Sequence, residues 1–221
     1  MNDYSLRFSF FGFPVVVQPM FWLVMVFLGA QGDLSSPQGL TALGLWVLIG
    51  FGSILWHELG HCIFQKKYGS SPAIVLWAGG GLAIPRTGLP FTRTQSFVIS
   101  LAGPFFGFLL GAAAWLLKEN VEARGYLAIS AIRDLLWINI VWSAVNLLPM
   151  LPLDGGHALK AILGGRQKLV AGISVAVAMA ATAGFLYLGS IWGALWFGYF
   201  AFQNLQLFRG EVSRDALEPR V

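Results

Sequence analysis

The sequence predicts an all-α polytopic membrane protein of about six transmembrane helices, with a small membrane-associated β element. Three observations carry this prediction. Of 221 residues, 57% are hydrophobic and only 11% charged, against about 25% charged in a soluble domain. Apolar runs recur along the whole chain, over roughly 19–30 with some apolar lead-in, 40–65, 95–117, 127–148, 169–188 and 190–208; a spanning helix needs about 20 such residues. The basic residues also segregate. With the N-terminus, the 66–94 loop, the 149–168 loop and the C-terminal tail on one side, that side holds Arg7, Lys66, Lys67, Arg86, Arg93, Lys160, Arg166, Lys168, Arg209, Arg214 and Arg220, and the other holds only Lys118, Arg124 and Arg133. A bias of 11 to 3 places both termini in the cytoplasm of a multi-pass cell-membrane protein.

Each element follows from local chemistry. Residues 4–18 alternate, with Leu6, Phe8 and Phe10 on one face and Ser5, Arg7 and Ser9 on the other, and "FGFP" supplies a turn, so an N-terminal hairpin is expected before the first span. Only Arg7 precedes the first apolar run and no small-x-small site follows, so a cleaved signal peptide is not expected. The 66–94 loop contains "AIVLWAGGGLAIP" at 73–85, which reads either as a glycine-rich edge strand able to hold an unwound peptide by strand addition or as a tight loop made by its glycines. Gly103, Gly107 and Gly111 in the third span, and Gly172, Ala176, Ala180 and Gly184 in the fifth, recur every four residues and are expected to be helix-packing faces. Pro149 and Pro152 end the fourth span and Gly155-Gly156 permit a sharp turn. Residues 169–208 would make a helix of about 60 Å, twice the hydrocarbon thickness, so the chain reverses at Gly189-Ser190. One membrane-embedded domain over 1–221, with core helices about 40–65, 95–117 and 127–148 and no appended soluble domain, is expected.

A net charge of +4 suits contact with anionic lipid rather than nucleic acid. The single cysteine, Cys62, excludes an intrachain disulfide and reads as a buried free thiol.

The chemistry concentrates in "ILWHELGHCIFQKKYG" at 54–69. His57 and His61 are four residues apart, so on a helix both imidazoles reach one metal ion, with Glu58 placed to act as general base. Counted back from Lys66 at the inner interface, His61 and His57 lie about 8 and 14 Å into the membrane, near the cytoplasmic side. The bland alternative, a helix end with snorkelling polar groups, would leave Glu58 in hydrocarbon at high cost. A catalytic zinc takes three protein ligands. Asp134 lies beside Arg133 at the outer end of the fourth span, on the wrong side. Asp154 and His157, in "NLLPMLPLDGGH", lie on the same side as the histidine pair, and topology leaves both open as the third ligand. A metal transporter would need a polar path across the bilayer, whereas the polar groups cluster at one inner end.

HELGH within a membrane helix, followed by "NLLPMLPLDGG" at 146–156, resembles the site-2 protease family of intramembrane zinc metalloproteases, whose pattern is HExxH plus NxxPxxxLDG. "FGFPVVVQPMFWL" is similar to the family's N-terminal hairpin and first helix, "LWAGGGLAIP" to its glycine-rich strand, and "LAGPFFG" to its third helix. The resemblance implies one Zn2+ per chain held by His57, His61 and Asp154, with His157 outside the metal's ligands, Glu58 as catalytic base, and Asn146 positioning substrate or stabilising the oxyanion. It implies a transmembrane protein or peptide as substrate, cleaved within or beside its membrane segment, and regulation by a membrane partner or by homo-oligomerisation. A proteolytically inactive metal-binding or partner-binding relative is the alternative that the intact histidines, Glu58 and Asp154 oppose. Gly107 departs from the family, which often has Asn there.

Overall fold

Backbone polar groups in hydrocarbon must be satisfied within the chain, and helices do this along most of this one. A computed structural model describes residues 4–30, 34–86, 88, 90–122 and 125–211. Arg124, Arg214 and Arg220 of the charge bias lie outside them.

The chain divides into two compact units, Met1–Pro90 with Ala102–Ala144, and Phe91–Leu101 with Val145–Val221. The first unit opens with a hairpin of β1 (Leu6–Phe10) and β2 (Phe13–Val17). Phe11 and Gly12 close it with positive φ values of 48° and 81°, the two-residue turn that matches strand twist. Next come α1 (Pro19–Gly29), α2 (Pro37–Lys67), β3 (Pro72–Trp77) and β4 (Gly80–Pro85). The sheet order is β1-β2-β3-β4, with β2 and β3 parallel and the outer pairs antiparallel. The expected single strand at 73–85 is therefore a second hairpin, because Ala78-Gly79 turns the chain within the apolar run. Val15, Val17, Ile74 and Leu76 are buried and share a core with Phe21, Met25, Leu55 and Leu59 from α1 and α2. The Trp46 indole N–H donates to Met25 C=O at 3.1 Å and ties α2 to α1.

Helix α3 runs Arg93–Glu122 and contributes its residues from Ala102 onward to the first unit. Helix α4, Tyr126–Asn146, contains a π-helical stretch at Trp137–Trp142 that the sequence did not announce. Asn139 lies in it, 2% exposed. Its amide donates to Leu135 C=O at 2.9 Å and to Ser53 Oγ on α2 at 2.8 Å.

The second unit holds α5 (Asp154–Leu163), α6 (Gln167–Tyr187) and α7 (Ile191–Arg209). The expected 149–168 loop thus contains a helix. Gly155 and Gly156 lie in its first turn rather than making a sharp turn, because a Cβ on either would strike the backbone of Leu147 or Met150. The reversal at Gly189-Ser190 is as expected: Gly189 has φ +74° and Ser190 Oγ accepts Gly193 N–H at 3.3 Å. Helices α6 and α7 pack through Ala178, Phe185, Phe197 and Phe200. The stripe of Gly172, Ala176, Ala180 and Gly184 is not this packing face; its last three residues are exposed.

Among the described residues four helices, α2, α3, α4 and α6, are long and apolar enough to cross a membrane. Six spans were expected. Helix α1 has 11 residues, about 16 Å, roughly half the hydrocarbon thickness. Helix α7 has 19 residues but carries Gln203, Asn204 and Gln206 near its end.

Between Asn146 and Asp154 the backbone is irregular, with a cis Leu151–Pro152 bond, and side chains satisfy it. Ser174 Oγ accepts Leu151 N–H at 3.1 Å. Asn204, 1% exposed, donates its amide to Leu151 C=O at 2.7 Å and to Phe200 C=O at 2.8 Å. Replacing Asn204 by Ala strands a buried carbonyl, which costs about 1–3 kcal/mol. Thermal unfolding in detergent should therefore show a lower Tm for Asn204→Ala than for the half-buried control Gln203→Ala, whose amide donates to the Tyr199 hydroxyl.

Candidate metal and catalytic centre

The helical period aligns His57 and His61 on one face of α2. Their Nε2 atoms lie 3.2 Å apart, and the ring centroids 5.0 Å apart at an interplanar angle of 71°. Two nitrogens each about 2.05 Å from one tetrahedral ion are about 3.3 Å apart, so this pair fits a shared metal without rearrangement. His61 and Glu58 are 7% and 5% exposed.

Two glycines shape the surroundings. A Cβ on Gly103 of α3 would lie 2.5 Å from His57 Nε2 and closer still to His61 Nε2. The bare α3 backbone is thus a wall of the site, and Gly103 is more than the helix-packing residue the sequence suggests. A Cβ on Gly81 of β4 would lie 2.5 Å from Glu58 Oε1, so the carboxylate faces the sheet. One turn away, a Cβ on Gly60 would meet Ala102 C=O at 2.6 Å, and the Trp56 indole N–H donates to Phe106 C=O at 3.0 Å. These contacts fix α3 against α2 alongside the histidines. Gly107, where the family often has Asn, serves packing: a Cβ there would strike Ser143 Oγ on α4.

The remaining predicted residues lie in the second unit. Asn146 is the last residue of α4, half-buried. Asp154 opens α5, and His157 follows on the same helix, both half-buried. Asp134 is 5% exposed and pairs with Arg133 at 3.1 Å, a structural ion pair in the first unit. Cys62 is a fully buried free thiol, as expected. Sequence reading missed Gly103 and Gly81 as site residues, since a glycine has no functional group to betray it. It also missed Ser174 and Asn204, whose only signal is a polar side chain in an apolar run.

Apolar helices, a small mixed sheet, and an HExxH pair facing a glycine wall define a membrane-embedded scaffold with a candidate metal site. In sequence and in fold the chain matches the site-2 protease family. Residues 118–188 match the model of peptidase family M50. A Synechocystis sp. protein provisionally named a zinc metalloprotease is 30% identical over 242 residues, covering 98% of this chain and 61% of that protein. A zinc metalloprotease of Methanocaldococcus jannaschii is 30% identical over 169 residues, covering 73% of this chain and 46% of that protein. The chain therefore spans only 46% to 61% of the length of these two relatives. Among solved structures, the site-2 protease from Methanocaldococcus jannaschii matches over 99% of this chain and 100% of that one, with a TM-score of 0.64 and 26% identity.

The glycine wall yields a test. Gly103→Ala should remove bound metal from the purified protein, because its methyl group competes with the ion for the same space. Gly107→Ala, which presses on Ser143 and the Asn139 carbonyl rather than on the histidines, should retain it. Metal content by inductively coupled plasma mass spectrometry reads both.

Proposed function

We propose that this protein is an intramembrane zinc metalloprotease that hydrolyses a peptide bond within or beside the transmembrane segment of a membrane-protein substrate. The observation that carries the reading is the 3.2 Å approach of the two Nε2 atoms with Glu58 buried beside them. The NxxPxxxLDG pattern at 146–156 and the zinc metalloprotease relatives support Asp154 as the third ligand and Asn146 as the substrate-positioning or oxyanion-stabilising residue. On this reading the chain is one protease domain, its termini are cytoplasmic, and the site opens toward the cytoplasm, where Lys66 and Lys67 end α2.

Zinc held there supplies the Lewis acidity that peptide hydrolysis requires. The chain's own groups do the rest. Glu58 takes a proton from the attacking water and returns it to the amine nitrogen as the C–N bond breaks. Its burial against the sheet excludes bulk water from the proton. Gly81 brings the edge strand β4 beside that carboxylate, so an unwound peptide added to β4 reaches the catalytic base. A single-span membrane protein, such as a tethered regulator or a signal-peptide remnant, is the expected substrate, with a membrane partner or a second copy regulating access.

Zinc stoichiometry tests the assignment before any substrate is known. Detergent-purified protein should hold about one zinc per chain. Asp154→Ala should lower this sharply, His157→Ala should leave it, and Glu58→Gln should keep zinc while losing hydrolysis. Wild-type protein free of zinc would sink the catalytic reading, and loss of metal in His157→Ala alone would move the third ligand.

A further inference from the structure

The outer edge of β4 is closed at one point, and two residues close it. Leu76 C=O accepts Gln18 N–H at 2.8 Å, so Leu76 turns its polar groups toward β2. Its partner across the β3–β4 pair, Gly81, is then in a non-hydrogen-bonded pair and turns its N–H and C=O outward. Ala83, paired with Ile74, does the same two residues on. β4 ends the sheet, so these groups form its free edge. The Ala83 carbonyl is already taken: Gln65 Nε2 donates to it at 3.0 Å. The next outward position is Pro85, which has no N–H to offer. Gly81 N–H, Gly81 C=O and Ala83 N–H remain, on the strand whose Gly81 lies against Glu58.

Stability does not account for Gln65. It is 5% exposed, and its Oε1 is buried with no hydrogen-bond partner among the described residues. An orphaned acceptor costs more than one neutral hydrogen bond returns, and Met of similar length would remove that acceptor while giving up only the bond to Ala83 at the sheet edge. Gln65 also continues the interval of four that places His57 and His61, so one stripe of α2 runs from the metal pair to the edge.

We infer that Gln65 and Pro85 act as an edge stop, so that a peptide adds to β4 over Gly81 and Ala83 only and leaves the sheet there. The inference rests on strand addition of the substrate at β4. It narrows the substrate class to membrane helices opened over a short stretch, about one turn or four residues, rather than long extended chains. Gln65 is a positioning residue, acting through the Ala83 carbonyl.

Disulfide capture tests this without relying on turnover. Leu82 and Ile84 point to the same face of β4, before and after the stop. Each is replaced by Cys in full-length, zinc-loaded Glu58→Gln, Cys62→Ser protein. The probe is a pool of capped Val/Thr-rich peptides carrying one cysteine each. Leu82→Cys should capture peptide about tenfold better than Ile84→Cys, the weight of one or two net hydrogen bonds. Adding Gln65→Ala with Pro85→Ala should bring Ile84→Cys up to the level of Leu82→Cys. Equal capture at both positions in the parent, or no rise in the combined variant, overturns the edge stop while strand addition stands. Capture at neither position overturns strand addition itself. Gln65→Met should unfold at or above the parent Tm; a clear fall would make Gln65 a structural residue instead.

Discussion

Everything at the centre depends on how closely the α3 backbone approaches α2. At Gly60 the backbone of α2 meets the Ala102 carbonyl of α3, and at Gly103 the imidazoles of α2 meet bare α3 backbone; van der Waals contact replaces the hydrophobic drive that lipid cannot supply. The approach sets the imidazoles against a wall of bare α3 backbone. It also means that metal affinity is fixed partly by a neighbouring helix that offers no ligand atom. The indole of Trp56, held by Phe106 C=O, and the packing of Gly107 on Ser143 keep that wall from shifting along α2. The stripe that looks like generic bundle glue is, at its first position, part of the site.

How much of this was legible follows from the range of each interaction. The HExxH pair, the N-terminal hairpin and the reversal at Gly189-Ser190 could be read because they are local: a helical period, and backbone angles that glycine tolerates. Failures came where distant contacts reassigned a residue. Gly155-Gly156 reads as a turn, yet its glycines let α5 tuck beneath the Leu147–Met150 backbone. "AIVLWAGGGLAIP" reads as one strand, because glycine in a strand and glycine in a tight turn look alike without a pairing partner. Of the six expected spans, the two that length and hydropathy do not support are α1, with 11 residues, and α7, where Gln and Asn interrupt the apolar run. The small residues of α6 misled in the opposite sense, since small side chains at intervals of four need no partner when they face outward.

The polar residues of the second unit show why apolar helices retain them. Ser174 and Asn204 sit in runs that hydropathy alone would leave apolar, and each answers one backbone group of Leu151. An irregular segment near membrane depth survives only if such groups are answered within the protein. The segment that precedes Asp154 is therefore shaped by two helices that lie outside the HExxH and NxxPxxxLDG motifs, and its geometry would be lost by changes remote from both.

The π-helical stretch of α4 has a consequence for comparing this chain with its relatives. A π turn holds one residue more than the α turn it replaces, about 100° of rotation. A helical wheel drawn from Tyr126 through Asn146 therefore assigns the wrong face to everything beyond Trp142. An ungapped alignment with a relative whose fourth helix is plainly α-helical would pair Asn146 with a residue pointing elsewhere. The single-residue gap that corrects it belongs within 137–142, where the buried Asn139 holds the bulge open against Ser53.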